Sequence, residues 1–175
     1  SDQYGDKRLA REYIEKALRF HGENPQVFYF AAYLAVQDNR MNEAEKYVRR
    51  AISLNGGYDT AKELLAVILF RAGRYNEVVD VCNQRIQANR DCLSAWYMKS
   101  LALEKKAQYE DSLDAARTGL EIVPDDAVLR ALMELTVIEQ LPFEDARRKQ
   151  WSRWHIERAR LFEQKNLAEQ ALFEY

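Results

Sequence analysis

The same helix-spaced set of residues returns every 34 positions along this chain, and no other feature constrains its fold so strongly. Ala10, Tyr13, Ile14, Ala17 and Leu18 become Ala44, Tyr47, Val48, Ala51 and Ile52 one period later. The next sets are Val78, Val81, Cys82, Arg85 and Ile86, then Ser112, Ala115, Ala116, Gly119 and Leu120. Steps of three and four place each set on one face of a helix. Most members are apolar or small, so each helix needs a neighbour to cover that face. A period of this length describes helical units stacked in series, each closed by the next. The chain has 175 residues, room for about five such units.

Composition narrows the class of work. Hydrophobic residues make up 47% of the chain, enough for a folded core. The formal charge of −2 gives the whole molecule no electrostatic reason to seek nucleic acid or an anionic membrane. No apolar run approaches the length of a membrane span. Residues Ser1 to Arg11 are polar with both signs of charge, unlike a signal peptide. The pattern enters at Ala10 in mid-unit, so the reading expects a fragment of a longer protein and leaves cellular location open. The two cysteines, Cys82 on the repeating face and Cys92 in a polar connector, read as separate thiols.

Breaks recur with the same period. Asn24-Pro25, Asn55-Gly56-Gly57, Asn89-Arg90-Asp91 and Val123-Pro124-Asp125-Asp126 separate units. Asn24 can cap a helix whose first residue is Pro25, and Asp59, Asp91 and Asp126 are expected to cap in the same way. Tighter breaks at Asp38-Asn39-Arg40, Ala72-Gly73-Arg74 and Lys106-Ala107-Gln108 fall inside units. No segment alternates as a strand would. The expectation is all-α: a partial unit over 6–24, full units over 25–58, 59–92 and 93–126, and a degenerate unit over 127–164. In that last unit the register fails, because Lys149, Gln150, Arg153 and Trp154 fall in the repeating places. A new stripe of Trp151, His155, Ala159 and Phe162 replaces it, predicting one closing helix from Pro142 to about residue 164. Lys165-Asn166 breaks it, and Leu167 to Tyr175 starts a further helix.

These residues resemble the tetratricopeptide repeat, whose signature is W-x2-L-G-x2-Y, then A-x3-F, then P over 34 residues. Phe28 and Trp96 stand in the Trp place, Leu65-Ala66 and Leu69 in the Leu-Gly and Tyr places, and Ala10 and Ala44 in the Ala place. Tyr75 and Tyr109 open second helices, Ile14 and Val48 replace Phe, and Pro124 matches the closing Pro. Lys62, Lys99 and Arg85 depart from the pattern. The resemblance spans about residues 6 to 146 and implies a right-handed superhelical α-solenoid of helix-turn-helix repeats.

It also implies a concave face, lined by the first helices, that takes a peptide. The inner places read Gln26, Tyr29, Tyr33 and Gln37; Thr60, Glu63, Val67 and Arg71; Ser94, Tyr97, Leu101 and Lys105; Val128, Ala131, Leu135 and Glu139. Tyr29, Tyr33, Tyr97 and Leu101 offer contact area, and Arg71 and Lys105 orient polar groups. The alternative is that the tyrosines pack against the neighbouring helix. The Lys/Asn/Arg clamp that some family members use for a terminal carboxylate is absent. A second surface, Arg147, Arg148, Trp151, Arg153 and Trp154, joins cations to indoles. It reads first as a solvated face, then as a site for an acidic protein, and last as an RNA site. His21 and His155 have no nucleophile or metal motif around them, so no enzyme, cofactor, metal or small-molecule substrate is expected. The expected role is a non-catalytic adaptor for a protein or peptide partner, with a spacer or self-assembling arm as the alternative.

Overall fold

Helices form between the breaks read above. The computed structural model describes residues 3–138, 142–165 and 167–174. It contains α1 (Gln3–Phe20), α2 (Pro25–Gln37), α3 (Met41–Leu54), α4 (Asp59–Arg71), α5 (Tyr75–Ala88), α6 (Leu93–Lys105), α7 (Tyr109–Ile122), α8 (Ala127–Ile138), α9 (Ala146–Gln164) and α10 (Ala168–Glu174). No strand occurs among the described residues. Each helix packs on the next through α8, and α10 packs on α9. The first helices of successive pairs, α2, α4, α6 and α8, also touch one another. The chain is therefore an α-solenoid whose first helices approach each other along one side.

The repeating columns form the core. Ala44, Val48 and Ala51 on α3, and Val78, Val81 and Cys82 on α5, are buried against Ala32, Ala35, Leu65, Ala66 and Leu69. Both cysteines are free thiols. Burial pushes the Cys82 thiol up to about 12, which leaves it protonated and unreactive. Polar members of the columns are satisfied locally. The Ser100 hydroxyl donates to the Ser112 carbonyl at 2.9 Å, and the Ser112 hydroxyl donates to the Ser100 carbonyl at 2.8 Å. Gly119 lets α7 approach α8 closely, since a Cβ there would lie 2.6 Å from Leu129 Cδ1.

The turns inside units repeat as a motif. Asn39, Gly73 and Ala107 take positive φ values of 59°, 72° and 58°. In each case the following N–H reaches five residues back: Arg40 to Ala35, Arg74 to Leu69 and Gln108 to Leu103. Three carbonyls left open at helix C-termini are satisfied this way. Glycine suits that conformation and alanine does not. Ala107→Gly is expected to stabilise the fold by about 0.5–1 kcal/mol, relief of backbone strain exceeding the added chain entropy. A thermal melt followed by circular dichroism should rise by about 2 °C.

Two sequence expectations about helix starts need correction. Asn24 does cap α2, accepting the Gln26 N–H at 2.9 Å, and Asp126 accepts the Leu129 N–H at 2.8 Å. Asp59 and Asp91 do not cap. Tyr58 and Cys92 hold those positions without a side-chain bond, and the Asp59 carboxylate is drawn to Arg85 instead. The N–H of Asp91 donates to the side chain of Asn89, as that of Gly57 does to Asn55, so the unit boundary is an Asn-closed turn. The closing helix starts at Ala146 rather than Pro142. Residues 142–145 form a turn closed by the Asp145 N–H on the Pro142 carbonyl, and Asp145 caps the helix through the Arg147 N–H at 2.8 Å. The stripe itself is as read: Ala159 is buried and Trp151, His155 and Phe162 are half-buried.

Candidate functional site

The inner side of the stack is built by α2, α4, α6 and α8, whose inward positions recur at the repeat period. On α2, Gln26 and Tyr33 are exposed and Tyr29 is half-buried. Tyr29 packs on Tyr58 with ring centroids 5.3 Å apart, so it both braces the first unit junction and faces outward. Burial, with Tyr58, Tyr33 and Glu63 nearby, pushes its phenol up from the ordinary range and keeps it neutral. On α4, Thr60 and Arg71 are exposed while Glu63 and Val67 are intermediate. On α6, Ser94, Tyr97 and Leu101 are half-buried and Lys105 is exposed. On α8, Val128 and Leu135 remain 56% and 69% exposed, an uncovered apolar edge. Glu139 lies outside the described residues.

One feature of this face was visible in the sequence only as a departure. Arg85 stands in the column occupied by Ala51 and Gly119, and its side chain is buried with 2% exposure. Its guanidinium runs up from α5 to the inner face, where Nε and Nη2 meet the two Asp59 oxygens at 2.9 and 2.8 Å. Nη2 also reaches Ser94 Oγ at 3.1 Å and Glu63 at 3.4 Å. The arginine holds the Asp59 carboxyl below its ordinary range through that bidentate bond. A charged residue in a small-residue column must find an acid, and Asp59 and Glu63 are the acids on the first helix of its own unit.

The basic-aromatic surface is largely occupied by contacts within the protein. Trp154 has Arg130 at 4.1 Å and Arg158 at 5.1 Å from its ring centroid. Trp151 lines a cleft of about 520 Å³ with Tyr109, Leu113, Met133 and Val137. Arg147 is bonded to Asp145 at 3.0 Å, and Arg148 donates to the Ile138 carbonyl. Arg153 is exposed. Beneath them, His155 Nε2 lies 2.7 Å from Glu134 and Nδ1 2.5 Å from Glu174, which Arg158 also holds at 2.7 Å. Trp154, Arg148, His155 and Arg158 thus tie α9 to α8 and α10.

Residues 37–118 match the family described as anaphase-promoting complex, cyclosome, subunit 3. A TPR repeat-containing protein, YpiA of Bacillus subtilis (strain 168), is 24% identical over 99 residues, covering 56% of this chain and 23% of that protein. The chain therefore spans less than a quarter of the length of that curated relative. Among solved structures, MamA superposes with a TM-score of 0.70 at 15% identity, covering 98% of this chain and 85% of that one. YrrB, described as a TPR protein with an unusual peptide-binding site, superposes with a TM-score of 0.67 at 15% identity, covering 81% and 73%.

Proposed function

Since the chain belongs to the tetratricopeptide-repeat family, we propose that it is a non-catalytic adaptor whose inner face holds a peptide or helix of a partner protein. The observation that carries this reading is the run of exposed or half-exposed large side chains on successive first helices: Tyr29 and Tyr33, then Val67, then Tyr97 and Leu101. Such side chains give contact area with few torsions to freeze, and rigid packing of the units keeps the receptor's ordering cost low. Gln26, Glu63, Arg71 and Lys105 surround them with polar groups that set register. The peptide site ascribed to YrrB gives the fold a precedent for this use.

Tyr33 and Tyr97 are the residues to change, because Tyr29 also braces Tyr58. Affinity capture from source lysate should retain a protein on the native chain and lose it on Tyr33→Ala/Tyr97→Ala, each truncation weakening binding about tenfold. The variant's melting curve should stay close to native. Capture that survives both changes sinks the groove reading.

A structural arm is the second reading, favoured by α1. Leu9, Tyr13 and Phe20 are 47%, 66% and 80% exposed there, whereas the counterparts of Tyr13 in later units are half-buried at Tyr47 and buried at Val81 and Ala115. Mass that rises with protein concentration, and stays monomeric in Tyr13→Glu, would support that role.

A further inference from the structure

We propose that Asn55 is a site of spontaneous covalent modification, in which the backbone nitrogen of Gly56 displaces the side-chain amide and leaves aspartate and isoaspartate. Asn55 alone among the asparagines of the chain is followed by glycine. This chemistry does not depend on the groove.

The pair lies in the turn between α3 and α4, where Asn55, Gly56 and Gly57 are all exposed. The Gly57 N–H donates to Asn55 Oδ1 at 3.0 Å, which draws electron density from Cγ and makes it a better electrophile. The Gly56 N–H has no acceptor among the described residues, so no bond holds its nitrogen away from attack. Asn55 has a ψ of 95°, and rotation about that bond must bring the nitrogen to Cγ. A β-carbon on the following residue hinders this rotation. Gly56 has none, and a Cβ built there would meet nothing within 4 Å. Hydroxide takes the Gly56 proton, the nitrogen bonds to Cγ, and the Cγ–Nδ2 bond breaks. Nδ2 takes a proton from water and leaves as ammonia, closing a succinimide ring. Water then opens the ring at Cγ to give aspartate, or at the main-chain carbonyl to give isoaspartate.

The next unit boundary supplies the comparison. Asn89 is also exposed, also follows a helix end with a ψ of 105°, and also accepts the N–H two residues on, that of Asp91, at 3.0 Å. It differs in being followed by Arg90, which carries the β-carbon that Gly56 lacks. Asn24 precedes Pro25, which has no N–H, and Asn39 precedes Arg40, whose N–H is bonded to the Ala35 carbonyl at 2.8 Å. Asn42, Asn76 and Asn83 lie inside helices. Change at Asn55 would be felt at the first unit junction. Its carbonyl accepts the Tyr58 N–H at 3.0 Å, and Tyr58 packs on Tyr29 of α2. Isoaspartate adds a methylene to the main chain and turns that carbonyl into a free carboxylate. Either product also places a negative charge at the C-terminal end of α3, where the helix dipole opposes it.

Peptide mapping by mass spectrometry tests the site, on the folded chain held at pH 9 and sampled over days, with chromatography separating aspartate from isoaspartate. Asn55 is expected to convert at least about tenfold faster than Asn89 and to give both products. Gly56→Ala should slow Asn55 to the rate of Asn89, and Arg90→Gly should raise Asn89 to that of Asn55. The aged native chain should melt below the fresh one, and aged Gly56→Ala should not. Equal rates at Asn55 and Asn89 in the folded chain overturn the proposal. So does conversion of Asn55 seen only in urea, which would mean that the turn protects it. An Asn89 that stays slow in Arg90→Gly would show that the following glycine does not set the rate, and would overturn the mechanism.

Discussion

Arg85→Ala is expected to destabilise the chain by about 2–4 kcal/mol, a large effect for one substitution in a stack of small side chains. Alanine is what the column holds at Ala51, so a repeat-averaged view would rate the change neutral or favourable. The surroundings argue otherwise. Arg85 is 2% exposed, and its side chain extends from α5 to Asp59 on α4 and Ser94 on α6. Truncation leaves a void there and removes the only cation bonded to Asp59 among the described contacts. Arg85→Met separates the two contributions. Methionine refills the stem's space without charge, and replacing buried ion pairs by apolar side chains of similar volume is often tolerated. Urea unfolding should therefore rank native, then Arg85→Met, then Arg85→Ala. Equal losses in both variants would mean that the ion pair, not the packing, carries the residue's contribution.

That residue marks the limit of what the sequence discloses. The columns through Ala44, Val78 and Ser112 were legible because burial on one helix face imposes a period, and the period survives exchange of one small side chain for another. The inner turns were legible for the same reason, since a left-handed residue closing a helix favours Asn or Gly. Caps were less so. Asp59 looks like a cap in isolation, and its carboxylate goes elsewhere because a buried guanidinium outcompetes an exposed N–H. Pro142 suggested a helix start, but Asp145 three residues later offers the side-chain acceptor that the first turn needs. The double role of Tyr29 depends on Tyr58, which lies 29 residues away and shows no local signal. Trp154 reads as a stacking platform until Arg130, 24 residues earlier, is found over its ring. Local periodicity fixes which face of a helix is buried. Pairings between units depend on distances that the period alone does not encode.

His155 should make the closing end of the stack sensitive to pH. Its imidazole lies between Glu134 of α8 and Glu174 of α10, whose side chains are only 9% and 2% exposed. A neutral ring can donate to one carboxylate and must turn a lone pair toward the other, whereas the imidazolium donates to both. Burial works against the charged form, but the bonds to Glu174 and Glu134 outweigh it and raise the histidine above its ordinary value. The sign follows from that direction. Stabilisation is complete below the unfolded value of about 6.5 and fades as the pH climbs through the folded value. Arg158 keeps its own bond to Glu174 throughout, so α10 should loosen rather than detach. The imidazole proton signal followed by NMR should titrate with a midpoint above 6.5, and Glu134→Gln should move that midpoint down. His155→Ala should be worse than high pH, because it leaves two buried carboxylates with Arg158 alone, costing about 2–4 kcal/mol at this end. Limited proteolysis near residue 165 reads the loss directly. Rapid cleavage of His155→Ala at pH 6, where the native chain resists, is the expected result. Equal resistance at pH 6 and pH 9 in the native chain would show that Arg158 and apolar packing, not the imidazolium, hold α10 in place.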